Sequence, residues 1–212
     1  MLKEVRIHGR GGQGAVTMAE MIALCAYNSR KVVQAFPSFG VERRGAPVEA
    51  YVRISEKEIS RRDHIANPDY LVILDPTLLE NKGMLNGLDK GDMVLINSSK
   101  GEDEIKKIFS IYPDVKIKCI DAVTLAIDII GKPIVNTALL GAFAFCTGIF
   151  DMKAVRAAIE EKLGDKGPEM VNKNIELAQK AYDHFDPHKQ FVVIPGEQHL
   201  AVVDEDKMVV DS

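Results

Sequence analysis

The chain contains no tryptophan, and aromatic residues make up only 6% of its 212 positions. With 46% hydrophobic residues there is nonetheless enough material to bury the core of one domain of ordinary size. Cysteine is scarce as well. Cys25, Cys119 and Cys146 stand far apart, with no CxxC or Cys/His spacing, which excludes a sequence-local metal centre or a disulfide framework. All three are expected to be buried thiols in a reducing compartment. There is no excess of positive charge: 27 basic against 31 acidic residues leave a net charge of -4 without a basic stripe, so nucleic acid is not an expected partner. Long apolar runs are missing too. The one uncharged run, Ile134 to Phe150, is shorter than the roughly 20 residues a bilayer requires and contains Asn136, Thr137 and Thr147, so it reads as a buried helix with no membrane role. Met1-Leu2-Lys3-Glu4 runs directly into a strand pattern, which leaves no room for a signal peptide, and a cytoplasmic protein is expected. Finally, no Ser/His/Asp or Cys/His set has local catalytic context. The five histidines, His8, His64, His184, His188 and His199, are isolated in sequence.

What is present alternates. "EVRIHG", an apolar-periodic stretch from Ala15 to about Asn28 and "KVVQAF" make a βαβ opening. "PSFGVERRGAP" then leads into the alternating run "VEAYVRIS". A connection that short and without a helix does not make a parallel crossover, so this strand should lie antiparallel in a mixed sheet. "YLVILD" and "MVLIN" are continuous apolar runs of strands covered on both faces, and "VKIKCI" is a further strand, which brings the sheet to about six. Helices are expected over Asp121 to Ile130, Asn136 to Thr147, Asp151 to Leu163 and Pro168 to Phe185. Asn136 and Asp151 are the expected N-caps, Gly148 and Gly164 the C′ glycines, and Pro168 belongs in a first turn. Val171, Ile175, Ala178, Tyr182 and Phe185 draw one apolar stripe on the last helix, which is core packing. The fold class is therefore α/β: a Rossmann-like three-layer domain with a mixed sheet, a helical C-terminal half and an extended C-terminal arm. Residues 1–187 form the domain. Residues 188–212, with three short apolar runs and no helical period, form the arm, either a docked tail or a strand that completes a partner's sheet edge.

Two loops carry the chemistry. In "HGRGGQGAVTMAE", Gly9, Gly11 and Gly14 fit G-x-G-x-x-G after a strand and before a helix, with Gly12 and Gln13 between. Glycines let the backbone turn tightly, and the unpaired N–H groups of a helix start attract an anion. A dinucleotide site also needs an acidic residue at the end of the second strand, about 20 residues on. Here that strand ends Val33-Gln34-Ala35-Phe36-Pro37, without a carboxylate, and Gln13 puts a long amide into the turn. The loop can hold a phosphate, the edge of a cofactor or a neighbouring subunit. In the second loop, Glu42, Arg43 and Arg44 sit between Gly40 and Gly45, flanked by Phe36, Phe39 and two prolines. Arginine pairs fork-like with carboxylate or phosphate and is enriched at interfaces, so this loop is an interface or a ligand edge. Asp75 closes "YLVILD" at the carboxyl end of a strand, where α/β ligands bind and where it can equally cap the turn after Pro76.

"RIHGRGGQGAVTMAE", "FPSFGVERRGAPVEAYVRIS", "NPDYLVILDPTLL" and "NTALLGAF" together resemble the gamma subunit of 2-oxoacid:ferredoxin oxidoreductases, in the pyruvate and 2-oxoisovalerate branch, over residues 1 to 185. The resemblance implies a multi-subunit enzyme that converts a 2-oxoacid and coenzyme A to acyl-CoA, carbon dioxide and two electrons for ferredoxin. It implies that alpha, beta and delta chains bring thiamine diphosphate, magnesium, [4Fe-4S] clusters and coenzyme A. This chain has no ferredoxin-type cysteine run, and no Gly-Asp-Gly followed by Asn. It would be an accessory subunit with no catalytic residue of its own and no metal site. By the family's motif, Gly11, Gly12, Gln13 and Gly14 carry over as the glycine loop. Glu42, Arg43, Arg44 and Gly45 carry over as the charged loop, with Arg43 and Arg44 as candidate interface or coenzyme A contacts. The alternative is a free-standing nucleotide-binding oxidoreductase that uses the G-x-G-x-x-G loop.

Overall fold

The sheet grows from β1 (Lys3–Arg10), whose side chains alternate between two unlike environments. Val5 and Ile7 point into an aliphatic core, whereas Arg6 and His8 enter the opposite face, where they are nonetheless buried. After β1 come α1 (Ala15–Asn28), β2 (Val32–Pro37), β3 (Pro47–Ser55), β4 (Tyr70–Ile73), β5 (Met93–Asn97), α2 (Glu102–Ile108) and β6 (Lys116–Ile120). The chain then becomes helical, with α3 (Ala122–Ile130), α4 (Asn136–Thr147), α5 (Met152–Leu163) and α6 (Pro168–Asp183), and ends in β7 (Lys189–Val192) and β8 (Ala201–Asp204). The computed structural model describes residues 1–38, 45–109, 114–192 and 201–204.

Six strands form one mixed sheet in the order β2-β3-β1-β4-β5-β6. β3 is antiparallel to both β1 and β2, as the short connection demands, while β1, β4, β5 and β6 run parallel. One face carries α1 and α4 over Val5, Ile7, Val72 and Leu95, with α5 and α6 packed on those helices. The other is covered over β4–β6 by α2 and two 3₁₀ turns, Pro76–Glu80 and Lys82–Leu85, which bury Leu71, Ile73, Val94 and Ile96. Each fully buried aliphatic side chain contributes about 1.5–3 kcal/mol, so these two clusters account for the strands' continuous apolar runs. Over β1 and β3 that second face is held by charge. Arg53, wholly buried, donates to Glu4 (2.8 Å), Gln34 (3.2 Å) and the Asp63 carbonyl (2.7 Å), and Arg6 donates to the carbonyls of Met84 (2.7 Å) and Asn86 (2.8 Å).

The uncharged run is indeed buried: α4 is inaccessible from Asn136 through Ala144, because it lies between the sheet and α6. Gly141 makes that approach possible, since a Cβ there would overlap the backbone carbonyl of Ala178. Asp151 caps α5 by accepting from the Ala154 N–H (2.9 Å), Gly148 ends α4 in the left-handed region (φ +61°), and Pro168 opens α6. Several local expectations are corrected. The residue before α4 is Val135, and Asn136 is already helical, its side-chain oxygen buried without a hydrogen-bond partner among the described residues and its amide lying where a Cβ on Gly14 would fall. Gly164 is right-handed (φ -57°) because the chain continues into a 3₁₀ turn. α2, short and mostly polar, was not expected from periodicity. Cys25 and Cys119 are buried but Cys146 is only half-buried, and burial raises all three thiols, Cys119 to about 11 and Cys146 to about 12. In the arm, β7 and β8 pair antiparallel with each other as a separate two-stranded sheet, while 193–200 and 205–212 lie outside the described residues.

Candidate functional site

In the sheet order, β1 and β4 are the neighbouring parallel strands from which the chain leaves in opposite directions, toward α1 on one face and the Pro76–Glu80 turn on the other. Ligands of α/β proteins bind outside the carboxyl ends of strands at such a switch point. The glycine loop lies there. Gly9 is still within β1; Gly11 follows it, Gly12 (φ +93°) and Gly14 (φ +85°) take left-handed backbone, and Gly14 opens α1 without a side-chain cap. Gly14 has a second reason to be glycine, because a Cβ there would overlap the side-chain amide of Asn136 at the start of α4.

Gln13 closes the loop. Its side-chain carbonyl accepts from the Arg10 N–H (2.7 Å), and its amide nitrogen donates to Asp75 Oδ2 (2.8 Å). The same Asp75 oxygen accepts from Arg10 Nε (3.0 Å), and its other oxygen accepts from the Thr77 N–H (3.0 Å) and hydroxyl (2.6 Å). Asp75 therefore both caps its own turn and ties β4 to the glycine loop. Burial works against its charge, but the hydrogen bonds from Thr77 and Gln13 and the nearby Arg10 outweigh it, and its pKa is lowered.

The two loops meet. The Gly11 N–H donates to the Ala46 carbonyl (2.8 Å), the Gly45 N–H donates to the Gly11 carbonyl (3.1 Å), and Arg10 Nη1 donates to the Gly45 carbonyl (3.2 Å). Gly45 itself is left-handed (φ +84°). Glu42, Arg43 and Arg44 lie outside the described residues, but Gly45 places the end of their loop against the glycine loop.

On the same carboxyl edge, a cavity of about 380 Å³ is lined by His8, Arg10, Glu49, Thr77, Glu80 and Asn81, among others. His8 is 5% exposed; its Nδ1 faces Glu49 at 3.7 Å, and its Nε2 has no hydrogen-bond partner among the described residues. Burial and, more weakly, Arg6 lower the imidazole to about 4 against the pull of Glu49, so His8 is neutral at pH 7. Tyr51 donates to Glu49 (2.5 Å), and burial together with that carboxylate pushes the phenol up to about 12. Local sequence did not single out this His8–Glu49–Tyr51 ladder. Only the antiparallel register, which sets His8 opposite Glu49, assembles it.

The fit to a phosphate is partial. The uncapped start of α1, which has no acidic residue in its first turn, suits an anion, while Asp75 beside it does not. The dinucleotide layout is broken in a more basic way: β3 lies between β1 and β2, so the second strand does not adjoin the glycine loop's strand. No helix among the described residues is long and apolar enough to cross a membrane.

Residues 4–184 match the family described as pyruvate ferredoxin/flavodoxin oxidoreductase. The chain is 44% identical over 180 residues to the "Pyruvate/ketoisovalerate oxidoreductases common subunit gamma" of Thermococcus litoralis, covering 85% of this chain and 95% of that one. It is 46% identical over 180 residues to "Pyruvate synthase subunit PorC" of Methanocaldococcus jannaschii, with the same coverage. The crystal structure of pyruvate oxidoreductase subunit PORC from Thermotoga maritima superposes with a TM-score of 0.76 at 34% identity, covering 86% of this chain and 96% of that chain.

Proposed function

Because the chain belongs to the pyruvate ferredoxin/flavodoxin oxidoreductase family, we propose that it is the gamma subunit of a cytoplasmic, multi-subunit 2-oxoacid:ferredoxin oxidoreductase. The complex would convert pyruvate or a branched-chain 2-oxoacid and coenzyme A to acyl-CoA and carbon dioxide, reducing ferredoxin with the two electrons released. Alpha, beta and delta chains would supply thiamine diphosphate with its magnesium and the [4Fe-4S] clusters. The observation that carries this reading is the identity to a common gamma subunit over 95% of that relative's length.

In this reading residues 1–187 are the subunit body and 188–212 an appended arm. The body's working surface is the carboxyl edge of the sheet, where Gly11, Gly12, Gln13 and Gly14 meet Gly45. The side chains of Gln13, Arg10 and Asp75 are occupied by one another, which suits a rigid surface that a neighbouring subunit docks against. Glu42, Arg43 and Arg44 would serve as contacts to the alpha and beta chains or to coenzyme A.

Purification from the native host at low salt tests the assignment. The chain should run with other polypeptides in a fraction that has 2-oxoacid oxidoreductase activity; a chain that runs alone, without that activity, overturns it. Replacing Arg43 and Arg44 together by alanine separates the two roles of the charged loop. A raised KM for coenzyme A with assembly intact assigns ligand contact, and loss of assembly assigns the interface.

A further inference from the structure

The two edges of the central sheet are unlike. β6 carries Lys116 and Lys118, the kind of charge that keeps an edge from pairing, whereas β2, at the other edge, has no charged residue from Val32 to Pro37. The Ser38 N–H donates to the Glu49 carbonyl, which sets the parity of the β2–β3 ladder: Val32, Gln34 and Phe36 turn their backbone groups to β3. Val33 and Ala35 therefore turn their N–H and C=O groups outward, and no other described strand pairs with them. Tyr27 (67% exposed) and Val32 (41%) stand beside this edge, and a groove of about 420 Å³ between α1, α5 and the strand is lined by Leu24, Tyr27, Val33 and Ala35, with Glu20, Glu161 and Lys162 on its helical side, where Lys162 pairs with Glu20.

We infer that β2 is an interface with a second copy of this chain, the two strands pairing antiparallel about a two-fold axis at Gln34 and joining two six-stranded sheets into one. Three features select a second copy and this register. With the axis at Gln34, Val33 faces the partner's Ala35 and Ala35 the partner's Val33, so every outward N–H and C=O of both residues is paired. Shifting the axis to Val33 or Ala35 leaves a carbonyl without a donor, because Pro37 has no N–H and the Lys31 N–H is already given to the Ala26 carbonyl. Side chains agree on both faces: Val33 meets Ala35, and Val32 meets Phe36. In an isologous contact residue i meets j and j meets i, the axis residue meets its own copy, and an uncharged strand does so without like-charge repulsion.

Gln34 is then a directly opposed, non-hydrogen-bonded pair, with Cα atoms about 4.5 Å apart, within disulfide reach. The test uses the full chain, both purified alone and in its assembled complex, and compares wild type, Gln34→Cys and Ala35→Pro. Proline at 35 deletes only an outward N–H and leaves the β3 ladder whole. Gln34→Cys should give, under mild oxidation, a disulfide-linked species of twice the 23.4 kDa chain mass that the wild type, with its own three thiols, does not form. In sedimentation Ala35→Pro should run at half the wild-type mass with an unchanged circular dichroism spectrum. Gln34→Cys also removes an acceptor from Arg53, so its circular dichroism spectrum is matched to wild type before an absent disulfide is counted, and the wild-type sedimentation mass reads the interface without either variant. Cross-linking in either setting supports the interface. A chain that is monomeric at all concentrations with unlinked Gln34→Cys overturns it, as does a Gln34→Cys dimer that forms no disulfide between its two copies, or a link only to a different polypeptide.

Discussion

Arg10 and Asp75, 65 positions apart, meet at 3.0 Å across the carboxyl ends of the two central parallel strands. Each is committed to more than the other: Arg10 also holds the Gly45 carbonyl and the Thr77 hydroxyl, and Asp75 also holds Gln13. The ion pair thus joins the glycine loop, the end of the charged loop and the turn after β4 into one rigid edge.

Replacing Asp75 by Asn should loosen all three. With charge-assisted hydrogen bonds lost on a side chain that is 13% exposed, but with Arg10 about one-third exposed, the cost is about 1–2 kcal/mol in urea unfolding at pH 7. Because the folded-state pKa of Asp75 is lowered, its contribution is present above the ordinary carboxylate value of about 3.9 and lost as pH falls through its own lower value. The gap between wild type and variant should close on acidification; a gap constant from pH 7 downward would assign Asp75 a purely steric role.

His8 gives the opposite dependence from a histidine that gains a carboxylate partner. Its folded-state value is depressed to about 4, so between the unfolded value of about 6.5 and that point the unfolded chain takes up a proton that the folded chain refuses. Stability should fall as pH drops through this window, by at most about 3 kcal/mol. His8→Gln, neutral throughout, should flatten that part of a plot of urea midpoint against pH. An unchanged slope would move the titration to another group.

Gly14→Ala combines a left-handed backbone with overlap on the Asn136 amide and should cost about 2–4 kcal/mol. Adding Asn136→Ala removes only the overlap, so a double-mutant cycle should recover part of the loss and leave the backbone cost. Full recovery would mean that the backbone shifts to accommodate alanine.

Gly141 and Gly131 should respond for different reasons. Gly131 is left-handed (φ +76°) with open space around it, so alanine there costs about 1–2 kcal/mol of backbone strain alone. In the interior of α4, propensity favours Gly141→Ala by about 1 kcal/mol, yet the new methyl would overlap the Ala178 carbonyl. Thermal unfolding should show a net destabilisation of about 2 kcal/mol or more, since backbone cannot rotate aside as a side chain does. A stabilised Gly141→Ala would show that α4 and α6 can part without cost.

Much of the fold was legible because periodicity reports burial directly. "MVLIN" reads as a strand covered on both faces and is fully buried, and the short link through "VERRG" correctly made β3 antiparallel. The glycine loop and the Gly45 loop were both visible as motifs. That they touch was not, because the link depends on a ladder that continues past β1 to bring Gly11 to Ala46. Asp75 was visible as a strand-end acid that could line a ligand site or cap the turn after Pro76; the structure shows the cap, and adds a tie to Arg10 and Gln13 that the sequence did not reveal. Asn136 looked like a cap and Gly164 like a C′ glycine because local rules see neighbours in sequence. The approach of Asn136 to Gly14, which leaves no room for a Cβ, spans the fold, and Gly164 serves a 3₁₀ turn that no local rule anticipates.

By itself the sequence determined the alternation of elements, the buried apolar runs and the two glycine-hinged loops, since each is written in spacings of two to four residues that local backbone geometry enforces. Only the tertiary structure decided which polar groups share an edge. Arg10 reaches Asp75, His8 faces Glu49 and Gly141 meets Ala178 through strand register and helix crossing, which depend on how the whole core packs.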